Sequence, residues 1–270
     1  MASDSNALVK SQFGVAAADY ASSDVHAKGE SLDRIVELAA PQANWRALDV
    51  ATGAGHMAAA FAPFVREIIA SDITPEMLRE TATLAASRNL TNMTTATAEA
   101  SALPFPDTSF DLVCCRLAAH HFPDLKAFVA EVQRVLKIGG RFALVDNVAP
   151  SVETLPDANE TDLAEATAAY NAFEKLRDPS HGNAPPPSVW LRLLADAHIN
   201  VIAREQFGKD LDFDSWVTRM RCSEKTIEKL RHILTEGAPR LREFLRPRHE
   251  ESGALYFTLQ ELLLVGTKNA

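Results

Sequence analysis

Cysteine is scarce: Cys114, Cys115 and Cys222 are the only three in 270 residues. Two of them are adjacent, which argues against an ordinary disulfide framework. No His/Cys spacing has the pattern of a zinc site, and no metal is expected. Basic clusters are missing too. The formal net charge is −9, and no stretch is rich in Lys and Arg. That combination argues against nucleic acid as the main partner, because phosphate binding needs clustered cations. No apolar run approaches the length of a membrane span, and the longest, Leu262–Gly266, is strand-sized. The opening Met1-Ala-Ser-Asp-Ser-Asn6 lacks the charged-then-apolar layout of a secretory leader. The expectation is a reduced, cytoplasmic protein without a membrane span. Repeats and low-complexity tracts are also missing. What is present is apolar: 47% of the residues are hydrophobic, enough for a sizeable core.

The chain has an alternating rhythm. Residues 5–40 read as helical, with Ser31–Ala40 carrying an apolar stripe that Pro41 ends. Short strands follow at Arg46–Ala51, Glu67–Asp72, Met93–Ala98, Phe110–Cys115 and Arg141–Asp146. Helices fall between them at 53–63, from Pro75, and at Leu125–Leu136. Thr74 is placed as an N-cap, with Pro75 at the first helical position. Apolar strands alternating with helices predict an α/β, doubly wound, mostly parallel sheet covered on both faces. Beyond residue 150 the rhythm changes. Helices are expected at 158–177, at 189–197 and over most of 212–250, with strands at 200–207 and 255–266. The predicted organisation is one domain over 1–270 with a seven-stranded sheet. Within it, 1–42 form a helical cap, 43–150 a nucleotide-cofactor core, 151–250 lid helices with the sixth strand, and 251–270 the final strand.

Arg46-Ala-Leu-Asp-Val-Ala-Thr-Gly-Ala-Gly55 reads as strand, then glycine turn, then helix. Glycine permits positive φ and lets a ligand approach the backbone, and the helix start offers free N–H groups. Asp72 ends the second strand about twenty residues on, where an acid can accept the hydroxyls of a ribose. The turn alone does not decide between a dinucleotide and another nucleotide cofactor, because Ala58 can serve as a third small residue.

Further residues carry a resemblance. Glu99-Ala-Ser-Ala-Leu-Pro-Phe-Pro-Asp-Thr-Ser-Phe-Asp-Leu-Val113, then Ala119-His-His-Phe-Pro-Asp124 and Val135-Leu-Lys-Ile-Gly-Gly-Arg141, join Leu48–Gly55 in a pattern. Over residues 44–148 it resembles class I S-adenosylmethionine (SAM)-dependent methyltransferases, in the branch of the ubiquinone/menaquinone C-methyltransferases. The resemblance implies a Rossmann-like seven-stranded fold, SAM as cofactor and a small-molecule acceptor. It implies that Gly53 and Gly55 pass under the methionine part of the cofactor, with Asp49 in the same motif. Asp72 would hold the ribose, Ile73 the adenine face, Glu99 the adenine amino group and Ala100 the ring. Arg116 and Leu117 would line the sulfonium end. Phe13-Gly-x-x-Ala16 and Tyr20 resemble the segment that closes over the cofactor. Tyr20 either bonds cofactor or substrate, or packs as a helix-face aromatic. Three positions depart from the pattern: Ala51 for glycine, Glu99 for aspartate and Ile138 for proline.

Methyl transfer from a sulfonium needs alignment and exclusion of water, plus a base when the nucleophile is protonated. His120, His121 and His181 are the base candidates. Each also has a plain reading as a packed, solvated or loop histidine. Arg177-Asp178 reads as a surface pair or as an anchor for the loop that carries His181. Phe173, Trp190, Trp216 and Met220 suggest an apolar or aromatic acceptor, although such a stripe is more often core. The charged helices 223–250 read as solvated faces or a dimer surface, leaving monomer and homodimer both open. Two other functions remain at this stage. One is an NAD(P)-dependent oxidoreductase, against which the Leu103-Pro-Phe-Pro segment and the lack of a Tyr-x-x-x-Lys pair count. The other is a SAM-fold protein that binds ligand or does chemistry other than methylation.

Overall fold

The structure is a computed structural model and describes residues 6–14 and 30–270. Its strands are β1 (Arg46–Val50), β2 (Glu67–Asp72), β3 (Met93–Thr97), β4 (Phe110–Arg116), β5 (Leu136–Asn147), β6 (Ile199–Asp212), β7 (Arg248–His249) and β8 (Leu255–Lys268). They form one sheet in the order 3-2-1-4-5-8-6, with the two-residue β7 paired to β8 off that path. Strands β1 to β5 are mutually parallel, and β8 runs antiparallel to both β5 and β6. The mostly parallel, doubly wound sheet expected from the strand–helix rhythm is therefore present, and β7 is an addition that no sequence signal announced.

The period of two along the strands explains the layering. Ala47, Ile68, Leu112, Cys114, Ala143 and Val265 point to one face. There they meet α2 (Glu30–Ala39) and α3 (His56–Phe61). Leu32, Ile35, Val36 and Ala39 form the buried stripe of α2 at helical spacing. Leu48, Val113, Cys115, Phe142 and Leu264 point to the other face, against α5 (Leu125–Val135) and α7 (Pro187–Asp196). Both faces are covered, so the strands read as continuous apolar runs.

Capping fixes the helix ends. Asp124 accepts the Ala127 N–H at 2.9 Å to start α5. At its far end, Lys268 Nζ donates to the carbonyls of Gln133 and Leu136. A cation at a helix C-terminus favours the dipole and here ties the last strand to the core. Asn159 and Asp162 form a reciprocal capping box for α6 (Glu160–Arg177). Thr74 holds the extended N-cap position of α4 (Pro75–Ser87), with Pro75 in the first turn, but its side chain makes no cap bond.

The strands β6 and β8 run on well past their neighbours, 14 residues each. A third apolar cluster gathers there. Leu211, Phe257 and Leu259 meet α6, α8 (Phe213–Arg219), α9 (Glu224–Glu236) and α10 (Pro239–Leu245). These helices pack on the part of β6 and β8 that extends past β5.

Candidate functional site

The chain leaves β1 through a backbone of unusual conformation. Ala51, Gly53 and Gly55 have φ of 54°, 55° and 89°. The two glycines have different reasons. A Cβ on Gly53 would meet nothing within 4 Å, so its backbone faces open space. A Cβ on Gly55 would lie 2.9 Å from Thr81 Cγ2 and 3.0 Å from Met93 Cε, so close packing with positive φ demands glycine there. Gly55 is not on the cleft wall: it turns the chain into α3, while Gly53 and Ala54 line the cleft.

Two acids hold this turn. Asp49 Oδ2 accepts from Thr52 Oγ1 at 2.6 Å and from the Ala58 N–H at 3.0 Å. Burial raises its carboxyl to about 7 in spite of these bonds. Asp72 Oδ2 accepts the Gly53 N–H at 2.9 Å, and its Oδ1 accepts the Thr74 N–H at 2.8 Å. Burial pushes Asp72 upward as well. The end of β2 is thereby stitched to the turn after β1.

Around them lies a cleft of about 1150 Å³, at the carboxyl ends of the parallel strands where open α/β sheets bind ligands. Asp49, Gly53, Asp72, Ile73, Glu99, Ala100, Arg116 and Leu117 all line it, together with His121. Glu99 Oε1 accepts from Ser101 Oγ at 2.9 Å. Arg116 is half-buried, and its loss of hydration lowers its pKa. Tyr20 lies outside the described residues. Residues the sequence did not single out complete the wall: Asn6 and Val9 from α1 (6–14), and Met77 on α4. Asn6, Val9 and Phe13 share one helical face, a periodicity that was available in the sequence.

A second cavity, of about 650 Å³, adjoins the first. Phe13, Leu117 and His121 belong to both walls. His120 and His181 line the second, and the three candidate histidines meet here. Ring centroids are 4.3 Å apart for His120 and His121, 5.4 Å for His120 and His181, and 6.4 Å for His121 and His181. All three are buried.

The rings differ in what holds them. His120 Nδ1 lies 2.6 Å from Asp146 Oδ1, and the His120 backbone N–H donates to Asp146 Oδ2. Burial disfavours the charged ring, but the fully buried Asp146 carboxylate outweighs that and raises His120 above its ordinary value. With Nδ1 donating to Asp146, Nε2 is left as the basic nitrogen. His121 Nδ1 is 3.1 Å from the Ser180 carbonyl, and burial followed by the His120 charge lowers this ring. His181 Nε2 bonds Asn171 Oδ1, which also accepts the Ala184 N–H and is therefore the amide oxygen. His181 thus donates from Nε2. Burial and the two neighbouring rings bring it down to about 2, so it is neutral at all working pH values.

The loop that follows α6 is fastened to this cluster. Asp178 is buried, not a surface residue: its Oδ1 accepts from the Ser180 N–H and Oγ. Gly182 and Asn183 donate to the His120 carbonyl at 3.0 and 2.9 Å. Arg177 donates from Nε to the Trp216 carbonyl and lies 4.5 Å over the Trp216 ring. Of the four side chains expected to form an apolar lining, Trp216 lines the second cavity, whereas Phe173, Trp190 and Met220 are packed within the core. The walls of this cavity are largely polar: Asn147, Glu174, Arg177, Lys209 and Glu261 stand beside the histidines. Asp146 and Glu174 were missed in the sequence. Asp146 is the penultimate residue of β5, near a strand end as Asp72 is on β2, and Glu174 extends the buried stripe Ala166–Tyr170–Phe173 of α6 with a charge.

No group of described residues has the composition of a metal site, and no described helix is long and apolar enough to cross a membrane. Residues 48–144 match the family described as Methyltransferase domain. The uncharacterized methyltransferase YcgJ of Bacillus subtilis (strain 168) is 33% identical over 92% of this chain and 94% of its own. A crystal structure from Bacillus halodurans C-125 covers 90% of this chain and 100% of that one, with a TM-score of 0.81 and 33% identity. A demethylmenaquinone methyltransferase of Deinococcus radiodurans is 39% identical over 39% of this chain and 44% of its own. The glycine turn pinned by two acids, the cleft it opens and these likenesses lead to one statement: the chain belongs to the class I SAM-dependent methyltransferases and is related to the ubiquinone/menaquinone C-methyltransferases.

Proposed function

We propose that the protein methylates a small organic acceptor held in the second cavity, with SAM in the first and His120 as the base. The observation that carries this reading is His120, on the wall of a cavity that adjoins the glycine-turn cleft and held at 2.6 Å by the buried Asp146. The cleft fits the cofactor: Gly53 leaves room at the backbone, and Asp72 and Glu99 offer carboxylates where a ribose and an adenine amino group require acceptors. SAM, when bound, supplies a methyl group already activated by its sulfonium. The rest belongs to the chain.

Leu117, Phe13 and His121 stand between the two cavities and limit water between them. Asp146 fixes the tautomer of His120 and stabilises its protonated form, so Nε2 takes a proton as the acceptor reacts. This is the orienting role an acid plays toward a catalytic imidazole. His121 and His181 are held neutral and shape the wall. General-base assistance of this kind contributes about 10²–10⁴-fold in rate.

Two measurements test the reading. Thermal shift should respond to SAM or S-adenosylhomocysteine and not to NAD; a response to NAD alone would end it. A crystal structure with S-adenosylhomocysteine bound should show His120 Nε2 open to the space beyond the sulfur. If none of the three histidines faces that space, histidine base catalysis is ruled out.

A further inference from the structure

Beyond the histidines, the second cavity ends on two acids that packing alone does not require. Glu174, on α6, is 5% exposed, and its Oε1 has no hydrogen-bond partner among the described residues. Glu261, on β8, is 1% exposed. Its Oε1 takes Lys209 Nζ at 2.9 Å, and its Oε2 has no partner among the described residues. Both side chains line the cavity. A buried carboxylate oxygen without a donor is costly, and a fold keeps such a group where something else supplies the donor.

The other charges around the cavity are engaged. Asp178 is satisfied by Ser180, Lys209 is paired with Glu261, and Arg177 is committed to Trp216. The unfilled capacity at Glu174 and Glu261 is acceptor capacity. An isoprenoid chain or a quinone ring would pair neither oxygen. A lone hydroxyl offers one donor, whereas an ammonium offers three on one compact atom.

Resting on the methyltransferase reading of the adjoining cleft, we propose that the acceptor is a small amine-bearing molecule whose N–H donors are taken by Glu174 Oε1 and Glu261 Oε2. Glu174 is then a specificity-determining residue. Burial pushes its carboxyl upward, and a bound cation reverses that, so amine binding and ionisation of Glu174 support each other.

The test uses the full chain loaded with S-adenosylhomocysteine, whose binding is first measured by calorimetry. Ethanolamine, putrescine, glycerol and menadiol are then offered at millimolar concentration and followed by ligand-observed NMR. The expected result is saturable binding of ethanolamine or putrescine and none of glycerol or menadiol. Glu174→Gln, nearly isosteric, should weaken the amine at least tenfold, and Glu261→Gln serves as a second variant should the first fold poorly. Absence of amine binding, preference for glycerol or menadiol, or amine binding indifferent to both variants overturns the proposal. Failure of S-adenosylhomocysteine itself to bind is a different outcome, which removes the cofactor reading as well.

Discussion

Asp49 makes the stability of the fold depend on pH. Its carboxylate sits 1% exposed beneath the glycine turn. Thr52 Oγ1, the Ala58 N–H and Cys114 Sγ all reach it, at 2.6, 3.0 and 3.5 Å. Burial still dominates, and the group rises from 3.8 to about 7. The folded chain therefore keeps a proton that the unfolded chain gives up as pH climbs through 3.8. Stability from this group is complete below pH 3.8 and is lost as pH rises toward 7. A rise of that size corresponds to about 4 kcal/mol. Asp49→Asn removes the titration and keeps an oxygen for Thr52 and Ala58, while its amide can face Cys114. Urea unfolding at steps from pH 4 to pH 8 measures the difference. Relative to wild type, the variant should gain about 4 kcal/mol across that range. Parallel curves would refute the assignment. The same group links to ligand binding, because Asp49 lines the cleft and SAM is cationic. Binding at pH 6 should release a proton, read by calorimetry in buffers of different ionisation heat, and Asp49→Asn should abolish the release.

The two glycines should separate folding from binding. Gly55→Ala forces a Cβ to within 2.9 Å of Thr81 at φ +89° and should cost about 2 kcal/mol or more, seen as a lower Tm. Gly53→Ala meets no atom within 4 Å; it should cost about 1 kcal/mol in stability but weaken S-adenosylhomocysteine at least tenfold by calorimetry. Asp72→Asn removes the charge from an acceptor of two backbone N–H groups. Loss of charge-assisted bonds worth about 1.5–3 kcal/mol should weaken the same ligand by about 10–100-fold, and an unchanged Kd in a folded variant would count against its role. His120 in Asp146→Asn is left with burial opposed only by the weaker pull of Glu174 and Asp178. Its titration, followed by NMR of carbon-labelled histidine, should move from above 6.5 to below it.

The fold was legible because the apolar strands and the turn residues carry it locally. Glu67–Asp72 coincides with its predicted span, and β4 reads as apolar on both faces because helices cover both. The last strands were less legible. Strand β6 is buried only at Ile199 and Leu211 and half-buried or exposed elsewhere, because it is an edge strand, and its local pattern fades into charged residues. The cleft was legible through Gly53 and Asp72 by their spacing and through Glu99 by the family resemblance. The second cavity was not. His120 and His121 were visible as residues, but the order among them is set by Asp146, 26 positions on, and by Ser180, 59 positions on. The aromatic side chains of the second half were visible too, and three of the four that suggested an apolar acceptor went into packing. Chemical character at a site built from distant segments depends on which polar groups remain unpaired after folding, and sequence spacing does not carry that.

Leu117 marks where the two cavities are joined. It follows β4 directly, at φ +52°, a conformation unfavourable for a branched side chain by about 1 kcal/mol. Its N–H donates to the Val145 carbonyl at 2.8 Å, so the neighbouring strand β5 holds the bend in place. The bend sets Leu117 in both walls, and the next turn presents His120 and His121. The carboxyl end of one strand thus lines the first cleft with Arg116, both walls with Leu117 and the second cavity with His120. One strained turn supplies all three from five consecutive residues, so a single short stretch of chain joins the two walls.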